Sequence, residues 1–173
     1  MRLPVNVPYV VDNLWEWFRP ASMPCRRHAV YASPTAGLAL QNAATSQKRA
    51  EYSAYLVDIS GEYVVAQLPQ KDAREHPDIR RIQQLMQERQ PRWAAMPWEA
   101  RHRMSMLFAP GCTKEDFERL IAEDAAAASF VSDATALSTF WSDASAKFQC
   151  NEGELFFELR GTATYLLRSP VAD

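Results

Sequence analysis

Strand-forming runs lie near both ends of this sequence, and a long helix-forming block separates them. One run covers residues 28–33, and "EYSAYLVDI" and "YVVAQL" flank "SGE" before the block, whereas "GELFFELRG" and "ATYLLRSP" follow it. Runs of β-branched and aromatic residues bounded by turn residues are typical of strands. Because strands and helices do not alternate in βαβ units, the order predicts an α+β fold. We expect strands from both ends to form a twisted, split sheet, with each pair of runs forming a hairpin.

Two short helices are predicted in the first quarter of the chain. Asn13 is expected to cap a helix over "DNLWEWFRP", because asparagine side chains accept bonds from the first backbone N–H groups of helices. Ser33 and Pro34 have the residue types of an N-cap and a first helical position, and they predict a helix over 35–44.

The central block contains several helix signals. Residues 76–90 carry apolar side chains at helical spacing, and Pro91 is expected to end that helix. Thr113 and Asp116 have the spacing of a capping box for the following helix. "DATALSTFWSDASAKF" is expected to be helical as well. Neither a linker nor a repeat interrupts the 173 residues, so we predict a single α+β domain over residues 1–173.

Composition excludes several classes of function. The net charge of −2 gives no bulk attraction to nucleic acid or to an anionic membrane. No apolar run reaches the roughly 18 residues of a membrane span. The cysteines have no metal-ligand spacing, so neither a disulfide framework nor a metal site is expected. We predict a soluble protein in the cytoplasm, or one exported without a cleaved signal.

A basic trio, Arg26, Arg27 and His28, stands at the entrance of the first predicted strand. Two guanidinium groups can hold a diphosphate or a carboxylate through paired charge-assisted hydrogen bonds. The helix that opens near Thr35 adds N–H groups that also favour an anion. The alternative is a solvated basic turn, with His28 exposed or structural.

Two acids lie on the predicted strand near the C-terminus. Alternation places Glu154 and Glu158 on one face, with Phe156 between them. A carboxylate at the mouth of a cleft can stabilise a cationic, sugar-like transition state. A solvent-facing strand that carries acids would show the same pattern.

The stretch "RRHAVYASPTAGLALQNA" resembles the strand-then-helix segment of the ADP-ribosyltransferase-like superfamily, which includes the RES-domain NAD-degrading toxins. "LWEWFRP", with Arg19, is similar to the aromatic-plus-arginine element of many members. "GELFFEL" is similar in position to the late strand that carries their glutamate. The family puts that arginine on a strand, whereas Arg19 falls in a predicted helix here.

The resemblance implies that NAD is bound as a substrate across a split β core. The enzyme would then be an ADP-ribosyltransferase or NAD glycohydrolase, as an effector or toxin acting on an unidentified target. A glutamate, Glu154 or Glu158, would stabilise the ribosyl cation. Tyr31 would flank the nicotinamide. The residues that it implies for binding NAD are Arg19, Arg26, Arg27, His28, Tyr31 and Ser33.

A second function from a different class is also open. Tryptophan and arginine dominate the energetics of protein interfaces, and five tryptophans occur in this chain. The chain could therefore be a non-enzymatic module that binds another protein through its Trp- and Arg-rich helices, with Trp93 and Trp98 as anchors. The oligomeric state does not follow from the sequence.

Overall fold

The α+β class and the arrangement of strands around a central helical block are confirmed in a computed structural model, which describes residues 7–43, 48–148 and 151–169. The described residues form two compact units. Unit 1 contains those of 7–20 and 74–142, and unit 2 contains those of 21–73 and 143–169. A single domain over the whole chain stays a prediction.

In the described part of the chain, five consecutive α-helices separate the third strand from the fourth. Within the described residues the α-helices are α1 (Tyr9–Trp17), α2 (Ala36–Ala43), α3 (Pro77–Ala94), α4 (Trp98–Met104), α5 (Lys114–Glu123), α6 (Ala125–Leu137) and α7 (Phe140–Asp143). The strands are β1 (Val30–Ala32), β2 (Leu56–Ser60), β3 (Tyr63–Gln67), β4 (Leu155–Leu159) and β5 (Thr164–Arg168). Of these helices, none has the length and apolar character needed to cross a membrane.

The strands of unit 2 are the predicted ones, but both predicted hairpins are wrong. β4 pairs antiparallel with β1 and β3, and β2 pairs antiparallel with β5. The chain bends at the "SGE" and "RGT" turns but does not form a hairpin at either. Residues 56–67 therefore pair with residues 155–168 in one long antiparallel ribbon, and the register shifts by two residues at the bend. As the central strand, β4 buries Phe156 and Phe157 on opposite faces.

The start of α1 differs from the prediction. The helix begins at Tyr9, and Asn13 lies inside it, almost fully buried. Its side-chain amide donates to the carbonyl oxygens of Leu107, at 2.9 Å, and Ala109, at 2.8 Å. Asn13 therefore ties α1 to the segment before α5, because a buried amide must find partners. An N-cap role for it is wrong.

Two further boundaries were also predicted wrongly. Thr35, not Ser33, takes the capping position of α2, where its hydroxyl accepts from the N–H of Leu38 at 3.2 Å. Pro91 lies inside α3, which continues to Ala94. A proline inside a helix costs about 3 kcal/mol. The last turn of α3 offsets this cost because it packs Trp93 against Phe108 and Phe130.

Helix starts in unit 1 are well predicted where caps define them. His76 caps α3 through Nδ1, with Pro77 at the first position. The capping box of Thr113 and Asp116 is confirmed at α5. The side chain and the backbone N–H of Thr113 both donate to Asp116, and these bonds hold the pKa of its carboxyl below the ordinary value of 3.8.

A buried carboxylate organises the core of unit 1. Asp78, in the first turn of α3, accepts hydrogen bonds from the indole N–H of Trp15, at 3.1 Å, and from the backbone N–H groups of Thr139, at 3.0 Å, and Phe140, at 3.1 Å. The ring of Trp15 stacks on that of Phe140, with centroids 3.9 Å apart. These bonds explain why the helix predicted through "DATALSTFWSDASAKF" breaks at Ser138 and Thr139, which turn towards Asp78 instead.

Candidate functional site

The antiparallel pairing of β1 with β4 brings the start and the end of the chain together in unit 2. Tyr31 lies opposite Phe156, and their rings stack with centroids 5.9 Å apart. Residues that are about 125 positions apart in sequence are thus neighbours, as the enzyme hypothesis requires. We call the cluster of Cys25, Arg26, Arg27, Tyr31 and Glu158 the β1–β4 junction.

Glu158 contacts the segment that carries the basic trio. Its Oε2 accepts a hydrogen bond from the backbone N–H of Cys25 at 2.8 Å, directly before Arg26, and lies 3.3 Å from a guanidinium nitrogen of Arg160. The side chain is 15% exposed. One hydrogen bond and one ion pair fix the carboxylate while part of it stays accessible, so it is pre-positioned to meet a cationic group.

Glu154 occupies a different place. It precedes β4 by one residue, and its Oε2 accepts from the backbone N–H of Ala73 at 3.0 Å. Its own N–H donates to the carbonyl of Gln70, and its carbonyl accepts from Leu68. Four residues along a strand correspond to about 13 Å. Glu154 therefore holds the segment after β3, and the two acids do not converge on one point.

The alternative of a solvated basic turn is wrong for both arginines. Arg26 is 3% exposed and Arg27 is 7% exposed, whereas His28 is exposed. The hydroxyl of Tyr31 donates to the carbonyl of Arg26 at 3.0 Å, and the guanidinium carbon of Arg26 lies 5.9 Å from the Tyr31 ring centroid. Two guanidinium charges are thus held inside unit 2, where burial strengthens their electric field.

The remaining predicted residues are divided between the two units. Ser33 follows β1 and is half-buried. Arg19 belongs to unit 1, where it follows α1 and its Nε lies 3.1 Å from a carboxylate oxygen of Glu16. Its position after a helix departs from the strand position in the resembling family. In the three described ranges, no group of His, Cys, Asp and Glu side chains could hold a metal ion.

A second surface, in unit 1, carries the tryptophans of the interaction hypothesis. Trp98, at the start of α4, is 67% exposed. The ring of His102 stacks on the Trp98 ring, with centroids 6.0 Å apart. Beside α3 lies a groove of about 470 Å³, lined by Gln83, Met86, Gln87, Gln90, Trp93 and Phe108. Trp93 is part of this groove, but it also packs in the core, because the centroids of the Trp93 and Phe130 rings are 5.2 Å apart.

Sequence reasoning missed the contacts that involve the backbone. Cys25 contributes its backbone N–H to the junction, and no residue-type signal marks such a contact. The groove, in contrast, follows the helical spacing of Met86, Gln90 and Trp93, which could have been read from the sequence. Comparison of the chain with protein-family models, with curated proteins and with solved structures finds no match.

Proposed function

We propose that the β1–β4 junction is the site of an NAD-consuming enzyme of the ADP-ribosyltransferase type. One observation carries this proposal: the carboxylate of Glu158, near the end of the chain, is bonded to Cys25 beside two buried arginines near its beginning. A partly accessible acid, bonded to a segment that also carries two buried guanidinium groups, suits a substrate with a cationic centre and a diphosphate.

The chemistry needs little beyond a well-placed carboxylate. When the bond between nicotinamide and C1′ of the ribose breaks, its electron pair leaves with the nicotinamide nitrogen, which was positively charged and becomes neutral. The ribose then carries an oxocarbenium charge, which Glu158 would stabilise. Water or a hydroxyl, amine or carboxylate of a target attacks C1′, and a nucleophile that carries a proton releases it to solvent.

The arginines support this chemistry indirectly. Because Arg26 and Arg27 are buried, they would act on the diphosphate mainly through their field, and they belong to the segment that presents Cys25 to Glu158. His28 is exposed and Tyr31 is half-buried, so these are the side chains of the segment that a ligand can reach most directly. Arg19 lies outside unit 2 and is left out of the proposed site.

Glu158 and Glu154 form a matched pair for testing the proposal. Glu158→Gln keeps the size and an acceptor for the Cys25 N–H but removes the charge, so we expect nicotinamide release from NAD to fall about 10²–10³-fold. Glu154→Gln changes an equivalent backbone-bonded acid outside the junction and should keep activity within about threefold. Chromatography of the products measures both variants beside the wild type.

Calorimetry with NAD measures binding separately from catalysis. This matters because an enzyme that needs a target protein would show no turnover in an assay that lacks the target. Wild-type protein is expected to bind NAD even without a target. If it neither binds NAD nor releases nicotinamide, or if Glu154→Gln loses as much activity as Glu158→Gln, the assignment to Glu158 is wrong.

A specific observation favours a second function in unit 1. Trp98 is exposed, and the guanidinium of Arg101 lies 5.9 Å from its ring centroid. Arg92 and Arg101 are exposed and form no ion pair with any described residue. We propose that the surface formed by Trp98 and Arg101 binds an acidic peptide segment of another protein that carries an apolar anchor.

A random peptide display library tests this second function. Peptides selected on the wild type are expected to combine acidic residues with an aromatic or Leu anchor, and to bind Trp98→Ala at least tenfold more weakly. Trp98 is the suitable position because its ring is exposed, whereas Trp93 supports the core. Selected peptides that bind the variant equally well, or the absence of any, would exclude this surface.

A further inference from the structure

The ribbon formed by β2 and β5 exposes large apolar side chains. Leu56, Leu166 and Leu167 are each 58% exposed or more, and Tyr165 is 40% exposed. The two strands pair only with each other among the described residues. The ribbon continues the β3–β4 pair but gains no third strand among the described residues, and an exposed apolar edge strand invites pairing with another chain.

The two faces of the β2–β5 ribbon differ in charge. In an antiparallel pair, residues that lie directly opposite share a face. The pairs Val57 with Leu167 and Ile59 with Tyr165 therefore make one face that carries no charge. The other face carries Asp58 and Arg168, which form an ion pair with each other. The ribbon thus presents no unbalanced charge to a partner.

The free edge of β5 is complementary to itself. If two copies of β5 pair antiparallel about Leu166, then Leu166 faces its own copy, Tyr165 faces Leu167, and Thr164 faces Arg168. No like charges meet in this register. Two copies of β2 paired about their central residue would instead bring the carboxylates of Asp58 together, which is destabilising.

We propose that two copies of this chain associate through β5 and form a four-stranded antiparallel sheet in the order β2-β5-β5-β2. A two-fold axis passes beside Leu166. Such isologous pairing needs a self-complementary surface, and the sequence "TYLLR" on the free edge supplies one. The association pairs the free backbone groups of β5 and covers part of the most exposed leucine of the ribbon. It does not depend on the function of the β1–β4 junction.

Cysteine cross-linking tests the register. Side chains that face each other across an antiparallel pair have Cβ atoms about 4.5–5.5 Å apart. In a background without the native cysteines, Leu166→Cys should therefore form an intermolecular disulfide under mild oxidation. Leu56→Cys is the matched control, because it is similarly exposed on the same face. Its copies would be separated by three strand spacings, about 14 Å, and by four residues along the strand, about 13 Å, so they should not cross-link.

Sedimentation gives the second readout. The wild type is expected at twice the 19.6 kDa of one chain, and Leu166→Lys should be monomeric with an unchanged circular dichroism spectrum, because it puts two ammonium groups at the axis. A wild type that is monomeric throughout a dilution series overturns the proposal. So does a dimer that Leu166→Lys leaves intact, or one in which Leu56→Cys cross-links as readily as Leu166→Cys.

Discussion

Gly153→Ala is expected to prevent unit 2 from folding. Gly153 has a φ of +97°, in the left-handed region, and a Cβ built on it would lie 1.9 Å from the carbonyl oxygen of Leu68. The backbones cannot separate, because the carbonyl of Glu154 accepts from Leu68 at 2.9 Å and its N–H donates to Gln70 at 2.7 Å. Strain of about 1–3 kcal/mol and the loss of both bonds, about 1 kcal/mol each, add to the steric overlap.

Two other glycines give matched controls for this prediction. Gly161→Ala also has a positive φ, of +55°, but its Cβ would meet nothing within 4 Å, so we expect a loss of only about 1–2 kcal/mol. Gly37→Ala lies in α2 with open space around it and should add about 0.5–1 kcal/mol of stability. Urea denaturation measures each free energy of unfolding. Equal stabilities of Gly153→Ala and Gly161→Ala would contradict the close approach at Leu68.

Asp78→Ala should cost unit 1 about 3–5 kcal/mol of its free energy of unfolding. The carboxylate is fully buried, and its removal leaves the indole N–H of Trp15 and the N–H groups of Thr139 and Phe140 without their acceptor. Breaking a buried, hydrogen-bonded charge is among the most destabilising single changes. Because Trp15 stacks on Phe140 in this cluster, the near-ultraviolet circular dichroism of tryptophan should weaken as well.

Asp133→Ala is the control for Asp78→Ala. Asp133 pairs with Arg89 across α6 and α3, but its side chain is 42% exposed, and exposed ion pairs contribute at most about 1 kcal/mol. Asp78→Asn should be intermediate, since it keeps one carbonyl acceptor. A denaturation midpoint for Asp78→Ala that matches that of Asp133→Ala would show that the carboxylate does not organise this core.

Local chemistry explains which parts of the fold could be predicted. The capping box of Thr113 and Asp116 is formed by residues within one stretch of four, and the cap that starts α3 at His76 is equally local. Such signals can be recognised in the sequence. Strand pairing is not decided locally. The runs around "SGE" look like a hairpin, but β3 pairs with β4, which buries Phe156 and Phe157, whereas β2 is mostly exposed. The long-range partner decides the pairing, and a turn signal cannot report it.

Burial explains the errors in the candidate site. Arg26 and Arg27 look like a solvated turn because their sequence neighbours do not reveal that the segment is covered. Alternation correctly predicted that Glu158 and Phe156 would point to one side of β4. It could not distinguish Glu158 from Glu154, because the difference lies in which backbone N–H group each carboxylate accepts from.

The most direct test of the proposed site uses these two N–H groups as reporters. NAD is titrated into ¹⁵N-labelled protein, and the amide resonances of Cys25, bonded to Glu158, and Ala73, bonded to Glu154, are followed by NMR. The proposal predicts that the Cys25 resonance shifts with NAD concentration while that of Ala73 stays in place. A shift at Ala73 without one at Cys25, or no shift at either residue, would contradict an NAD site at the β1–β4 junction.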